Sequence, residues 1–294
     1  MKKFGFYALG YKGYECLKAF VSEFGTDHVS FVVSARDKNV KEDYYQAIER
    51  FCSDNGIVFS DRINPVKRSA ILKFAIGWRW IISEDDNLVV FHDSLLPKYR
   101  GFAPLVNALI NGEREIGVTA LKAESEYDSG DLISQKSISV EYPKKIEDAI
   151  SDVSELYVDI LLEVCQTVIS GEILNYYVQD QSRASYSPWR NDLDYKVNWD
   201  RSSQYISRFI CAVGYPYKGT ETTINGKRVR ILDSEVVEDV DVEDRSQHIG
   251  KIIFMNSGLP TIICGEGLLK LINIVDEQGA SLVGKIPFRS RLGS

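Results

Sequence analysis

The segment LVVFHDSLLPKYRG, residues 88–101, passes from an apolar run into a polar loop that a proline interrupts. Upstream, apolar runs alternate with stretches of helical periodicity, in the order FGFYALG (4–10), GYECLKAFVSEFG (13–25), VSFVVSARD (29–37), KEDYYQAIERFCSDNG (41–56), IVFS (57–60) and ILKFAIGW (71–78). Short apolar runs separated by helical stretches are typical of βαβ units. The sequence therefore predicts an α/β fold with a Rossmann-like, mostly parallel and doubly wound sheet.

His92 stands where the last of these apolar runs ends, and it is one of only three histidines in the chain. Ligands of open α/β sheets bind outside the carboxyl ends of the strands. This position predicts a catalytic role for His92, with a structural histidine at a strand end as the alternative.

The turn after the first strand reads GYKG, residues 10–13. It lacks the GxGxxG pattern of dinucleotide-binding folds, which disfavours a dehydrogenase. Glycine permits close approach of a ligand to the backbone, so Gly10 is a candidate substrate-binding residue. A tight turn between strand and helix is the alternative.

The second half of the chain begins with a one-faced apolar pattern from Ile146 to Ile169, which predicts a helix. The polar and aromatic stretch from Gln179 to Trp199 is either a linker or a segment that lines a substrate site. Short alternating runs follow, with Asn225 and Gly226 as a hairpin signal. They predict a small antiparallel β domain, and we place the domains at 1–200 and 201–294.

Composition excludes several classes of protein. The chain has 294 residues, 44% of them hydrophobic, and a net charge of −7, which disfavours a nucleic-acid partner. Its five cysteines are scattered without a CxxC pair, which argues against disulfides and zinc. No apolar run reaches the roughly 18 residues of a membrane helix. We expect a cytoplasmic protein without a membrane partner.

Several ordered motifs resemble the formyltransferase family that uses 10-formyltetrahydrofolate as its one-carbon donor. They are HDSLLPKYRG (92–101), NGE (111–113), GVT (117–119) and YDSGD (127–131). The segments KVNWDRSSQYISRFICAVGYPYKG (196–219), GEGLLKL (265–271) and FRSRL (288–292) are similar to the small domain that follows the catalytic domain in such enzymes. The resemblance implies an OB-like barrel for the C-terminal β domain.

The resemblance also implies the chemistry. Formyl transfer needs a neutral amine, a group that accepts the proton lost on attack, and stabilisation of an oxyanion. It assigns the histidine role, as base or oxyanion partner, to His92 and the carboxylate role to Asp128. By itself, a D-S-G sequence is an ordinary turn. The expected formyl donor is 10-formyltetrahydrofolate, and no metal is implied.

Two segments are expected at the folate by resemblance: Trp78, Arg79 and Trp80, and then Ser125, Glu126 and Tyr127. The first follows an apolar run that ends at the same sheet edge as His92. Packing within the core is the alternative for the tryptophans.

The stretch SYSPWRNDLDYKVNW, residues 185–199, is similar to a segment common in sugar N-formyltransferases. It implies a nucleotide-linked deoxyamino sugar as substrate, with UDP or dTDP and a 4-amino-4,6-dideoxy sugar as the expected form, for surface polysaccharide synthesis. Tyr186, Trp189 and Arg190 are candidate nucleotide contacts, or they dock the linker. Ser94 and Lys98 are candidates for lining the substrate path. The alternatives are that Ser94 is a helix cap and that Lys98 is an ordinary surface lysine.

One position departs from the family. An asparagine usually stands two residues before the histidine, and this chain has Val90 there. A backbone N–H, a water or a side chain such as Asn107 replaces that donor, or transfer is impaired, since loss of an oxyanion donor costs about a hundredfold or more. The alternatives to a sugar enzyme are a methionyl-tRNA formyltransferase and a folate- or nucleotide-sugar-binding protein with little turnover. Whether the β domain pairs into a homodimer is open.

Overall fold

The computed structural model describes residues 1–66, 68–82 and 87–293. Within these ranges the chain divides into two compact units. The first comprises Met1–Leu105, Glu115–Ser139 and Ala149–Pro188, and the second comprises Val106–Arg114, Val140–Asp148 and the chain from Trp189 onward. The domain boundary at residue 200 stays a prediction, because compactness alone does not show which part folds independently.

The first unit is built on strands β1 (Phe4–Ala8), β2 (Val29–Ser34), β3 (Phe59–Asp61), β4 (Leu72–Ile76), β5 (Leu88–His92), β6 (Arg100–Gly101), β7 (Glu115–Lys122), β8 (Leu132–Ser139) and β9 (Tyr186–Ser187). Among the described residues, seven of these form one sheet in the order β3-β2-β1-β4-β5-β7-β8. Strands β1 to β5 are parallel, and β7 and β8 are antiparallel additions. The strand order runs outward from β1 in both directions, so the predicted doubly wound, mostly parallel sheet is confirmed.

The α-helices within the described ranges are α1 (Gly10–Phe24), α2 (Tyr45–Asp54), α3 (Pro104–Asn111), α4 (Ile146–Ser170), α5 (Ser203–Ala212) and α6 (Arg245–His248). The predicted helix from residue 146 is therefore confirmed and ends one residue later than expected. Phe4 and Phe6 alternate with Gly5 along β1, so both rings lie on one face, where they pack against Phe20 of α1 and Phe74 of β4. Each fully buried ring contributes roughly 1.5 to 3 kcal/mol.

Glycine at position 13 explains how α1 reaches the sheet. A Cβ at Gly13 would lie 2.8 Å from the carbonyl carbon of Ala8, so the helix packs directly on the end of β1. Gly10, the first residue of α1, has a φ of 67°. The GYKG turn thus brings the first turn of α1 to the carboxyl edge of the sheet, where β5 also ends.

The second unit contains β10 (Thr220–Ile224), β11 (Lys227–Val237), β12 (Ile252–Asn256), β13 (Leu259–Ile263) and β14 (Leu268–Asp276). Within its described residues, these strands form an antiparallel sheet in the order β10-β11-β14-β13-β12. Asn225 and Gly226 both have positive φ, which confirms the predicted hairpin. Leu292 bridges Ile224 and Arg291 bridges Lys251, so the last described residues connect the edges of this sheet.

None of the helices in the described ranges combines the length and the apolarity that a membrane-spanning segment requires.

A charged cluster fixes the carboxyl end of β5. Asp93 follows His92 directly, and its carboxylate pairs with the ammonium of Lys12 in α1. The hydroxyl of Tyr157, in α4, donates to Asp93 Oδ1 at 2.6 Å. Burial alone would raise the pKa of Asp93, but Lys12 and the Tyr157 hydrogen bond outweigh it and hold this pKa below the ordinary value. Burial and the Asp93 carboxylate raise the pKa of Tyr157 well above its usual range.

Asp93→Asn should destabilise the fold at neutral pH. Removing one partner leaves Lys12 partly buried without its anion, and we expect the free energy of unfolding at pH 7 to fall by roughly 2 to 4 kcal/mol. The folded-state pKa of Asp93 is depressed, so its stabilisation is present above the unfolded pKa of about 3.9 and is lost as pH falls through the folded value. The gap between wild type and variant should therefore close in acid.

Urea unfolding at a series of pH values measures this difference. Asp159→Asn is the matched control, because Asp159 pairs with Lys136 at 3.6 Å on the surface, and such pairs contribute about 1 kcal/mol or less. A gap of equal size at pH 3 and pH 7 would rule out the charge of Asp93 as its origin.

Candidate active site

The His92 ring lies at the carboxyl end of β5 with both nitrogens next to oxygen atoms. Nε2 is 2.8 Å from the carbonyl oxygen of Tyr99, and Nδ1 is 3.5 Å from Oδ2 of Asp128. A carbonyl only accepts hydrogen bonds, so this contact assigns the hydrogen of the neutral ring to Nε2. Nδ1 is then the position that takes up a proton, and the resulting imidazolium faces a carboxylate. The pair can therefore accept a proton from a reacting group.

Asp128 is held in an orientation that most residues avoid. Its φ is 52°, in the left-handed region, where aspartate is more common than other non-glycine residues. Oδ2 accepts a hydrogen bond of 2.8 Å from the N–H of Gly101. The same oxygen faces His92, so one backbone donor fixes the carboxylate against the imidazole.

The two backbone groups that hold the pair belong to the loop around β6. Tyr99 N–H donates to Ser185 Oγ at 2.9 Å, and Phe102 N–H donates to the Ser187 carbonyl at 2.7 Å. Gly101 has a φ of 98°, and a Cβ there would lie 2.8 Å from the Ser187 carbonyl oxygen. The short parallel pair of β6 and β9 thus needs glycine at this position and fixes the loop.

Val90 leaves a gap in the expected donor set. It lies two residues before His92 on β5, on the same face of the strand, and is partly buried. Its side chain offers no hydrogen bond to an oxyanion. Asn107, the replacement considered from the sequence, belongs to the second unit, where its Oδ1 accepts a hydrogen bond from Arg190.

The segment from Trp78 to Trp80 directly follows β4, the neighbour of β5, so it lies at the predicted sheet edge. Trp78 packs edge-on against Tyr7 and Trp80, at centroid distances of 5.3 and 5.2 Å. Arg79 pairs with Asp37 at 2.9 Å. The indole N–H of Trp78 is buried and has no hydrogen-bond acceptor. These residues therefore have packing partners, and Trp78 retains one donor for a ligand acceptor.

Ser125, Glu126 and Tyr127 form an exposed loop that leads into Asp128. The Tyr127 ring is 6.0 Å from that of Phe102, which follows Gly101, and the two side chains belong to residues that are 61% and 46% exposed. Sequence reasoning missed Phe102. An exposed aromatic residue beside a glycine that the motif requires is the signal that could have found it.

The remaining predicted contacts occupy different settings. Ser94 is buried and its hydroxyl donates to the Lys98 carbonyl at 2.7 Å, a cap within the loop. Lys98 is exposed, as is Tyr186, which pairs with Arg100 through β9 and β6. Around Gly10 an added Cβ would meet open space. A substrate role for each of these four stays a prediction.

Trp189 and Arg190 belong to the second unit. Trp189 is exposed. Arg190 donates to Asn107 and to the Asp194 carbonyl, and its buried Nε has no acceptor. A nucleotide contact for these two residues likewise stays a prediction.

Comparison with known proteins identifies the family of the chain. Residues 79–165 match the formyl transferase family, and residues 191–290 match the formyl transferase C-terminal domain. The chain belongs to the formyl transferase family. The chain is 32% identical to a methionyl-tRNA formyltransferase of Streptococcus thermophilus over 197 residues, which are 67% of this chain and 61% of the relative. It therefore spans about three fifths of the length of that relative.

Two solved structures share the fold of this chain. A sugar 3N-formyl transferase, WlaRD, was crystallised in the presence of dTDP and 5-N-formyl-THF. It has a TM-score of 0.71 at 21% identity and covers 92% of this chain and 97% of its own. The N-formyltransferase of Helicobacter canadensis, in complex with folinic acid and dTDP-3-aminofucose, has a TM-score of 0.70 at 19% identity, covering 92% and 99%.

Proposed function

We propose that this protein moves a formyl group from 10-formyltetrahydrofolate to the amine of a nucleotide-linked deoxyamino sugar. The observation that carries the proposal is the His92–Asp128 pair, which lies within the part of the chain that matches the family and is fixed by backbone groups of the SLLPKYRG loop.

The bound donor supplies an electrophilic formyl carbon. Nδ1 of His92 accepts the proton that the attacking amine loses, while the Asp128 carboxylate stabilises the imidazolium. The imidazolium can return this proton to N10 of the donor as the bond between the formyl carbon and N10 breaks and tetrahydrofolate leaves. Because Nε2 remains bonded to the Tyr99 carbonyl, the ring keeps its orientation throughout. The side chains of His92 and Asp128 are only 8% and 13% exposed, and this burial limits water at the pair.

The residues present fit a folate. Phe102 and Tyr127 expose two aromatic rings on the segments that carry Gly101 and Asp128, and aromatic rings favour contact with another flat ring. The indole N–H of Trp78 provides a donor without a protein acceptor. These three residues would hold the pterin or the benzoyl ring of the donor.

An amino sugar is favoured over tRNA by charge. The net charge of −7 opposes a polyanionic substrate. One similar structure was determined in the presence of dTDP and the other in complex with dTDP-3-aminofucose. The curated relatives favour methionyl-tRNA as the second candidate. We retain UDP- or dTDP-linked 4-amino-4,6-dideoxy sugars as the expected substrates and include 3-amino sugars beside them.

Consumption of 10-formyltetrahydrofolate with a panel of UDP-, dTDP- and GDP-linked amino sugars, beside methionyl-tRNA, tests the proposal. We expect saturable turnover with one amino sugar and a shallow dependence on salt. Activity confined to methionyl-tRNA, falling by about 10³-fold or more between 50 and 200 mM salt, would contradict it. Tight sugar binding without turnover would instead indicate a binding protein in which Val90 has removed the oxyanion donor.

A further inference from the structure

The side chain of Gln179 connects two segments of the site. It is buried, at 4% exposure. Its Oε1 accepts two hydrogen bonds from Arg100, at 3.2 Å from Nε and 2.6 Å from Nη2. Its Nε2 donates to the carbonyls of Asp128 and Gly130, at 2.8 and 2.7 Å. Arginine only donates, so the orientation of the amide is unambiguous, and all of its donors and acceptor positions are occupied.

Each of the two segments that Gln179 joins contains one partner of the hydrogen bond between the Gly101 N–H and the Asp128 carboxylate. Arg100 is 1% exposed and precedes Gly101, whose N–H binds the Asp128 carboxylate. The carbonyls of Asp128 and Gly130 lie on either side of Ser129, within the turn that directs the Asp128 side chain. Gln179 therefore sets the distance between the N–H of Gly101 and the Asp128 carboxylate that accepts its hydrogen bond.

We propose that Gln179 is a positioning residue for the His92–Asp128 pair. The two carbonyl contacts hold Asp128 at its left-handed φ, a conformation that persists only where the surroundings impose it. A displacement of a reacting group by about 1 Å costs about 10²-fold in rate. The catalytic part of this inference rests on the proposed function, whereas the geometric part does not.

The variant Gln179→Glu distinguishes a positioning role of Gln179 from a role in packing alone. The variant keeps the shape and the acceptor for Arg100, but it replaces two donors by an oxygen that faces two carbonyl oxygens. Gln181→Glu is the matched control, since Gln181 accepts from Nη1 of the same arginine at 2.8 Å and is exposed. We expect kcat to fall by about 10²-fold in Gln179→Glu with KM within about threefold of wild type. Gln181→Glu should change kcat by less than about threefold.

The double variant with Asp128→Asn tests whether Gln179 acts through Asp128. If it does, adding Gln179→Glu to Asp128→Asn causes little further loss of kcat, because the interaction has already been removed. If the double variant instead loses kcat by the product of the two single-variant losses, the proposal is wrong. A Gln179→Glu defect confined to the free energy of unfolding would also overturn it.

A spectroscopic measurement keeps the inference separate from the proposed function. The chain has three histidines, so the ¹H–¹⁵N signals of the imidazole rings can be assigned. In Gln179→Met, which is neutral and close in size, we expect the His92 ring signals to shift while those of His28 and His248 stay. Unchanged His92 signals in a folded variant would refute positioning by Gln179. Shifted signals in a protein inactive on every substrate would refute only the proposed activity.

Discussion

Replacement of His92 by glutamine is expected to lower kcat for formyl transfer by about 10²- to 10⁴-fold while the protein stays folded. The glutamine amide can still donate to the Tyr99 carbonyl, the contact that Nε2 makes at 2.8 Å. It cannot take up a proton at the position of Nδ1. The loss should therefore appear in kcat, with a small change in KM, when initial rates are measured with saturating donor.

His28→Gln is the control for this substitution. The His28 ring also contacts a backbone carbonyl, with Nδ1 2.8 Å from the Lys2 oxygen, but it lies after α1 at the opposite end of the strands. Both variants remove an imidazole held by a carbonyl, and only one should lose activity. If His92→Gln kept more than about a tenth of the wild-type kcat, another group would have to be the base.

Asp128→Asn should lower kcat by about 10²-fold or more. The amide oxygen can keep the hydrogen bond from Gly101, so the turn should survive. The negative charge beside Nδ1 is lost, however, and the imidazolium that forms on proton uptake is no longer stabilised.

Comparison of kcat at saturating donor with a variant of the same turn identifies this cause. Asp131→Asn, at the other end of the same DSGD sequence, is the matched control, since the Asp131 contact with Lys122 uses its backbone carbonyl. We expect the half-buried Asp131 side chain to tolerate this change, with kcat within about twofold of wild type. Equal losses in the two variants would point to the turn as a whole rather than to the Asp128 charge.

The sequence predicts the parts of this site that have a periodic or motif signal. The apolar run LVVF places His92 at a strand end, and the parallel order of β4 and β5 follows from the alternation upstream of them. Asp128 is recognised only through its resemblance to a family, because an isolated D-S-G sequence is compatible with any turn.

The parts that hold the pair have no such signal. Strands β6 and β9 contain two residues each, too few for a period-two pattern. Arg100 and Gln179 are 79 positions apart, and neither a buried arginine nor its neutral partner follows from hydropathy. The Tyr99 carbonyl and the Gly101 N–H are main-chain groups present at every such position, so only the path of the folded backbone reveals their role.

Main-chain atoms of Tyr99 and Gly101 hold the His92–Asp128 pair. Evolution is therefore constrained in the path of this loop and not in the identity of each of its side chains. The contacts of the imidazole and the carboxylate depend on the course of the loop, and they do not involve the side chains of Lys98, Tyr99 and Phe102. Substitutions at these three positions can change the surface of the loop while the His92–Asp128 pair keeps its geometry. The side chains of this loop can therefore diverge without a change in the pair.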